Sequence, residues 1–199
     1  MKPWMLGVLV LGMAGCAGTA PVVVKTVDAP RPTEQILENR LLGFSIAHLA
    51  GWELGENLGK DGGGTISFVA PPRQTDAPVG APRGTVGVTV QPLAPKEAAT
   101  PETFVQWYLQ GFRTRWPAAT VVSQSSTVVR GRPAIELVVT KSDADPQGTP
   151  FMVKILGTFF VQGSRGYLIY YNHEVSRFDD HLAARRRMLD TFEILDPSP

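Results

Sequence analysis

The sequence predicts an α+β domain in which one antiparallel β-sheet is sandwiched between helices, and three observations lead there. The first is the stretch 150–172, PFMVKILGTFFVQGSRGYLIYYN, which reads as two long strands joined by a tight turn over Gly163 to Gly166. Pairing Gly163 with Gly166 sets Phe159 opposite Tyr170 and Val161 opposite Leu168. Phe151, Val153, Ile155, Phe159, Val161, Leu168 and Tyr170 then share one face. The second observation is the opposite face, which carries Met152, Leu156, Phe160, Tyr167, Ile169 and Tyr171 with only Lys154, Thr158 and Gln162 as polar breaks. A solvated sheet face is not this apolar, so both faces must be covered. The third is that the chain supplies two amphipathic helices to cover them, one starting near Thr100 and one over Phe178 to Leu189.

In chain order, the domain begins near Leu42, where Gly43 to His48 alternates as a strand and Gly51-Trp52-Glu53-Leu54 follows after a brief turn. Lys60-Asp61-Gly62-Gly63-Gly64 is turn chemistry, and Thr65 to Val69 is the next strand. Four prolines between residues 71 and 84 mark a long exposed loop, after which Thr85 to Val90 resumes the sheet. Thr100-Pro101-Glu102 opens a helix: Thr100 caps it, Pro101 sits where its missing N–H is harmless, and Glu102 faces the positive end of the dipole. Phe104, Tyr108 and Phe112 form its apolar stripe, widened by Val105, Trp107 and Leu109, and Pro117 ends it. Val121-Val122 and Thr127 to Val129 read as short strands, Arg130-Gly131-Arg132 turns the chain, Ala134 to Thr140 returns, and Ser142 to Gly148 is a polar loop. The closing helix turns Phe178, Leu182, Leu189 and Phe192 inward and leaves Arg185 to Arg187 on a solvated face near its C-terminal half.

The 199 residues are 43% hydrophobic and 19% charged, an ordinary globular composition that accommodates one domain of about 150 residues. Residues 1–15 do not belong to it. Lys2, the apolar run Trp4 to Leu11 and the small-residue exit Gly12 to Gly15 make a signal peptide, too short for the roughly 20 residues of a membrane span. The exit Met13-Ala14-Gly15-Cys16 resembles the bacterial lipoprotein lipobox, usually Leu-Ala-Gly-Cys, departing from it only at Met13. That resemblance implies cleavage before Cys16, a diacylglyceryl thioether on its thiol and a further acyl chain such as palmitate on its amine. Two or more chains anchor a protein stably where one does not. An ordinary secretory leader with an incidental cysteine is the competing reading, but Cys16 is the chain's one cysteine and can join no intramolecular disulfide. Ala17, where an Asp would direct inner-membrane retention under the enterobacterial sorting rule, makes the expected address the outer membrane, facing the periplasm. Residues 16–40 form the lipidated N-terminus and a flexible tether rich in Pro, Val and Thr, and residues 41–196 the domain.

Losing Lys2 with the leader takes Lys plus Arg from 19 to 18, equal to the 18 Asp plus Glu, so no polyanionic partner is implied and nucleic acid is excluded. The one basic run is Arg185-Arg186-Arg187, so membrane attachment falls to the lipid. Nor does a catalytic constellation emerge. Gly55 to Asp61 is one residue short of a phosphate-binding loop and lacks the hydroxyl after its lysine. His173-Glu174 lacks the second histidine of the zinc-protease pattern. Asp179, Asp180 and His181 are consecutive on the expected helix and point about 100° apart. His48 stands alone, Glu53, Glu136 and Glu174 are scattered, and no Gly-x-Ser-x-Gly elbow occurs. No cofactor, metal site or catalytic residue is expected, and the chain is read as a protein that is not an enzyme.

Gly43-Phe44-Ser45-Ile46 followed by Gly51-Trp52, then Gly131-Arg132-Pro133-Ala134, Gly166-Tyr167-Leu168-Ile169 and the closing Leu189-Asp190-Thr191-Phe192 together resemble the PsbP/Mog1-like families, which include DcrB-type bacterial lipoproteins and the Eag effector chaperones. The proline usual before the Gly-Trp pair is replaced here by His48-Leu49-Ala50. The resemblance implies a sheet sandwiched by helices, binding or assembly roles, and no shared catalytic residue. The expectation is therefore a lipid-anchored envelope protein that binds or assembles a protein partner. The alternatives are a carrier of an apolar small molecule or lipid, and a hydrolase whose site the sequence does not reveal.

Overall fold

In the computed structural model the described residues are 34–72, 83–93, 99–145 and 147–195. The leader, Cys16, the tether up to residue 33 and the proline-rich stretch 73–82 lie outside them. Ten strands form two antiparallel sheets: β1 (Glu34–Asn39), β2 (Phe44–Leu49), β3 (Glu53–Leu58), β4 (Gly64–Val69), β5 (Thr85–Pro92), β6 (Thr120–Val129), β7 (Arg132–Ala144), β8 (Pro150–Gln162), β9 (Arg165–Glu174) and β10 (Glu193–Ile194). The larger sheet runs β3-β4-β5-β9-β8-β7-β6 and the smaller β1-β2-β10. Helices α1 (Pro101–Arg115) and α2 (Leu182–Thr191) pack on opposite faces of the larger sheet, which is the α+β arrangement the sequence predicts.

Local chemistry accounts for the elements. Thr100 and Thr103 make a reciprocal capping box at the start of α1: each backbone N–H donates to the other's hydroxyl at 3.2 Å. The β6–β7 hairpin closes over Arg130 and Gly131, both at positive φ (48° and 80°), as a two-residue type I′ turn requires. The β8–β9 hairpin closes over Gly163 and Ser164, with Gly163 at φ 59°. Gln162 therefore pairs with Arg165, and Phe159 lies opposite Leu168 rather than Tyr170. The pairing differs from the expected one by two residues, and because side chains alternate with period two the assignment of residues to faces is unchanged.

Those faces build two cores. Phe159 and Leu168, with Ile135, Leu137 and Val139 of β7, bury Phe104, Val105 and Phe112 of α1. Leu156, Phe160, Tyr167, Ile169 and Tyr171 face the other way, against Met188 of α2, Phe192, and Phe44 and Ile46 of β2. The small sheet thus shares with α2 the covering of that face. β1 lies within the stretch expected to be tether; its side chains are mostly exposed, which is why no apolar alternation marked it. β6 is one strand with a bulge between Val121 and Ser123, not two short ones. β7 runs on to Ala144, through the start of the expected loop.

The closing helix also departs from expectation. Val175–His181 is a 3-10 segment and the α-helix starts only at Leu182. The Tyr171 hydroxyl donates to the Phe178 carbonyl at 2.8 Å, drawing into the core an acceptor that an α-helical turn would have used. Phe178 and Phe192 are buried as expected, while Met188 and Arg185 occupy the most sheltered positions of α2 itself.

Phe159 is 1% exposed and touches Phe104 and Tyr108 edge-on, with ring centroids 5.4 and 5.0 Å away. Phe159→Ala is expected to lower unfolding free energy by about 3–5 kcal/mol. Urea denaturation checks this, and a loss below about 0.5 kcal/mol would place the ring outside the core.

Candidate functional site

Helix α1 packs mainly against β7 and β8, with Leu168 of β9 also in its core. On the same sheet face, β4 and β5 offer little apolar surface for a helix to bury: Thr65 stands opposite Thr89, their hydroxyls 3.0 Å apart, Ser67 stands opposite Gly87, and only Val69 at the end of β4 is apolar. Between α1 and this polar half opens a cleft of about 810 Å³. Tyr170 of β9 lies across its floor directly over Gly87, so closely that a Cβ there would meet the ring at 2.5 Å. Only glycine allows the ring to lie so. Asn172 and Ile155 extend the floor.

The opposite wall comes from α1 and its C-cap. Tyr108 stacks on Phe112 (5.6 Å), Phe112 leans on Trp116 (4.7 Å), and Trp107, 46% exposed, stands at the rim against Phe104 (6.2 Å). The aromatic stripe is therefore divided: Phe104 is core, Phe112 is buried but borders the cleft, and Trp107 and Tyr108 line it. Lys141 Nζ sits 4.3 Å and Arg115 Cζ 4.8 Å from the Trp116 ring centroid, cation–π contacts that leave the basic groups at one end of the cleft. Among the described residues lining it, Arg115 carries the one formal charge and no carboxylate is present.

Burial pushes the phenols of Tyr108 and Tyr170 up to about 12, and Tyr108 is raised further by Tyr170 nearby. Both remain neutral donors at any physiological pH, and neither hydroxyl has a hydrogen-bond partner among the described residues. The cleft thus combines aromatic surface with free phenol and amide groups, the composition of a binding site for a ligand that needs both. Sequence reasoning missed it. Its one linear signal is the run of small and hydroxylated residues at alternate positions of β4 and β5, Thr65, Ser67, Gly87 and Thr89.

The residues considered for chemistry fall elsewhere. His173 and His181, distant in reading, stack at 5.9 Å on the other sheet face, with Trp52 edge-on to His181 at 5.2 Å. His48 is separate, stacked on Phe68 at 4.5 Å. Glu53 is held by Arg83 at 2.5 and 2.8 Å, Glu136 lies 3.4 Å from Arg185, and Glu174 accepts from Ser176 at 2.8 Å, so the three carboxylates form no pair. Among the described residues no group of three or more His, Cys, Asp or Glu side chains could hold a metal ion, and no helix is long and apolar enough to cross a membrane. Cys16 lies outside the described residues.

The arginine run is corrected in part. Arg186 is exposed and Arg187 pairs with Glu34 at 2.8 Å, but Arg185 is 6% exposed, inserted over the sheet. Its guanidinium donates to the Thr158 hydroxyl and to Glu136, and its Nε is buried without a partner. Helical position decided this, since Arg185 shares a stripe with Leu182 and Met188.

No family model matches the chain, and no curated protein matches it. Solved structures do. Cyanobacterial PsbP (CyanoP) from Synechocystis sp. PCC 6803 is 10% identical, with 91% of this chain and 98% of that one covered at a TM-score of 0.59. The Saccharomyces cerevisiae Ran-binding protein Mog1p is 13% identical, covering 83% and 97% at 0.54. PA94 from Pseudomonas aeruginosa, a protein of unknown function, is 12% identical, covering 83% and 98% at 0.51. At these identities the likeness establishes the fold, which is PsbP/Mog1-like.

His173, 2% exposed, accepts the Glu174 backbone N–H on Nδ1 at 2.8 Å, a bond only the unprotonated nitrogen can take. Burial, then Arg177 and His181, pull it below its ordinary value of 6.5, against weaker opposing effects of Asp180 and Glu174. The unfolded chain therefore takes up this proton first as pH falls. Stability should be whole above 6.5 and decline from there down to the lowered folded value. His173→Asn, which keeps an acceptor near Nδ1, is expected to flatten that decline in urea midpoints measured across the range. Equal pH dependence in the two proteins would contradict this.

Proposed function

We propose that this chain is a lipid-anchored protein of the bacterial envelope, held through Cys16 to the outer membrane and facing the periplasm, and that its domain is a non-catalytic module that binds or assembles an envelope protein. The cleft under α1 is the binding face. The observation that carries this reading is the pairing of exposed Trp107 with the Tyr108 and Tyr170 hydroxyls, which have no hydrogen-bond partner among the described residues, in an open groove. Aromatic residues with a polar handle are the commonest anchors of protein interfaces. The covalent anchor at Cys16, with a tether over residues 17–33 ahead of β1, suits a protein that holds a partner near a membrane. Mog1p, which shares the fold, is a Ran-binding protein, and this lends general support to a binding role.

A second reading, a carrier of an apolar small molecule or lipid, is favoured by the size of the cleft, about 810 Å³, which falls in the range of roughly 300–1,000 Å³ typical of small-ligand pockets. Co-purified lipid detected by mass spectrometry would support it over the first.

Two outcomes are expected. In a bacterial host Cys16→Ser abolishes fatty-acid labelling and blocks removal of the leader; equal labelling of mutant and wild type would sink the anchor. A photo-crosslinking residue in place of Gln110, at the cleft margin, captures a reproducible envelope protein in intact cells. Trp107→Ala in that background weakens the association by about 2 kcal/mol, roughly thirtyfold, if Trp107 is an anchor. Unchanged capture would remove the cleft from the interface.

A further inference from the structure

The larger sheet ends in two unlike edges. At one, β3 is six residues long and carries Glu53 and Glu56, with Arg83 clamped on Glu53. A short, charged edge is one of the devices that keep strands from pairing with other chains. At the other, β6 is ten residues long, TVVSQSSTVV, about 33 Å at roughly 3.3 Å per residue. It holds no charged residue and no proline, and it is exposed along most of its length, with Val122 at 56% and Val128 at 67%. Its single irregularity, the bulge between Val121 and Ser123, lies near one end.

β6 is also nearly its own reverse. Counting outward from Ser125, Gln124 matches Ser126, Ser123 matches Thr127, Val122 matches Val128 and Val121 matches Val129. A two-fold interface requires a surface complementary to itself, and an antiparallel strand pair has that symmetry only if the strand reads alike in both directions. This favours a second copy over an unrelated strand as the occupant.

We propose that β6 is a homodimerisation edge, two copies pairing antiparallel about Ser125 so that the larger sheet continues from one protomer into the other. Gln124 of each copy lies opposite Ser126 of the other, Ser123 opposite Thr127, and Val122 opposite Val128, hydroxyl against hydroxyl and β-branched against β-branched. Gln124 and Ser126 pair with Leu137 and Ile135, whose side chains contact α1, so they lie on the α1 face; Ser123, Ser125 and Thr127 lie on the other. The dyad stands perpendicular to the sheet, both α1 helices lie on the same side, and the two clefts open in one direction. Such a dimer presents two copies of the same site to a partner, with the gain in avidity that simultaneous engagement brings.

The test uses the full chain in detergent with Cys16→Ser, so that any introduced thiol stands alone. Ser125→Cys should form an interprotomer disulfide on mild oxidation, because the two positions face each other across the dyad, while Ser142→Cys at the far end of β7 should not. Light scattering should show a dimer. Gln124→Lys with Ser126→Lys, which sets like charges opposite one another twice across the seam, should weaken the dimer at least about tenfold without altering the thermal melt. A monomer at every loading concentration, a dimer indifferent to the two lysines, or crosslinking as efficient at Ser142 as at Ser125 would each overturn the proposal. So would β6 accepting an unrelated strand-forming peptide while the chain stays monomeric. None of these outcomes depends on what the cleft binds.

Discussion

β9 is bonded on both edges, to β5 and to β8, and presents large side chains to both faces, so its ten residues must satisfy two cores at once. Tyr167, Ile169 and Tyr171 serve the core shared with α2 and the small sheet, while Leu168 and Tyr170 serve the face of α1. A shift of one residue in either ladder would exchange the two sets and place Tyr167 or Ile169 where Leu168 packs. The two-residue turn at Gly163-Ser164 secures one ladder. The other is held where Tyr170 crosses Gly87, since no other residue of β5 on that face is small enough to lie beneath the ring.

From that strand outward the two faces are treated differently. One is sealed: α2, the 3-10 segment and the small sheet together cover it, and the Tyr171 hydroxyl reaches across to the Phe178 carbonyl. The other is covered where β7, β8 and β9 supply Ile135, Leu137, Val139, Phe159 and Leu168, because α1 gains burial there and would gain little over the threonines and glycine of β4 and β5. The cleft is the consequence of this difference. It exists because half of a sheet face is polar and the helix stops at the boundary.

Arg185 is the buried guanidinium of the sealed face. A guanidinium over the sheet is costly unless paired, and Thr158 and Glu136 both accept from its Nη2 while Nε is buried without a partner among the described residues. Burial lowers its pKa and Glu136 opposes that shift, and the group remains charged. Its bonds tie α2 to two strands at once, a directional constraint that Met188 and Leu182 alone would not impose.

Much of this protein was legible in the chain itself. Alternation along Pro150 to Asn172 determined which residues share a face, and the Thr100-Pro101 start and Pro117 stop bounded α1. These are local signals, carried by residues a few positions apart, and periodicity survives even a two-residue error in pairing. What only the tertiary structure decided was how those faces meet: that β1, β2 and β10 leave the larger sheet, that Arg185 turns inward, that His173 and His181 stack, and that Tyr170, Tyr108 and Trp107 border a cleft. An aromatic at an apolar position reads the same whether it fills a core or walls a groove. The difference lies in the residues across from it, here Thr65, Thr89 and Gly87, and folding alone brings them together.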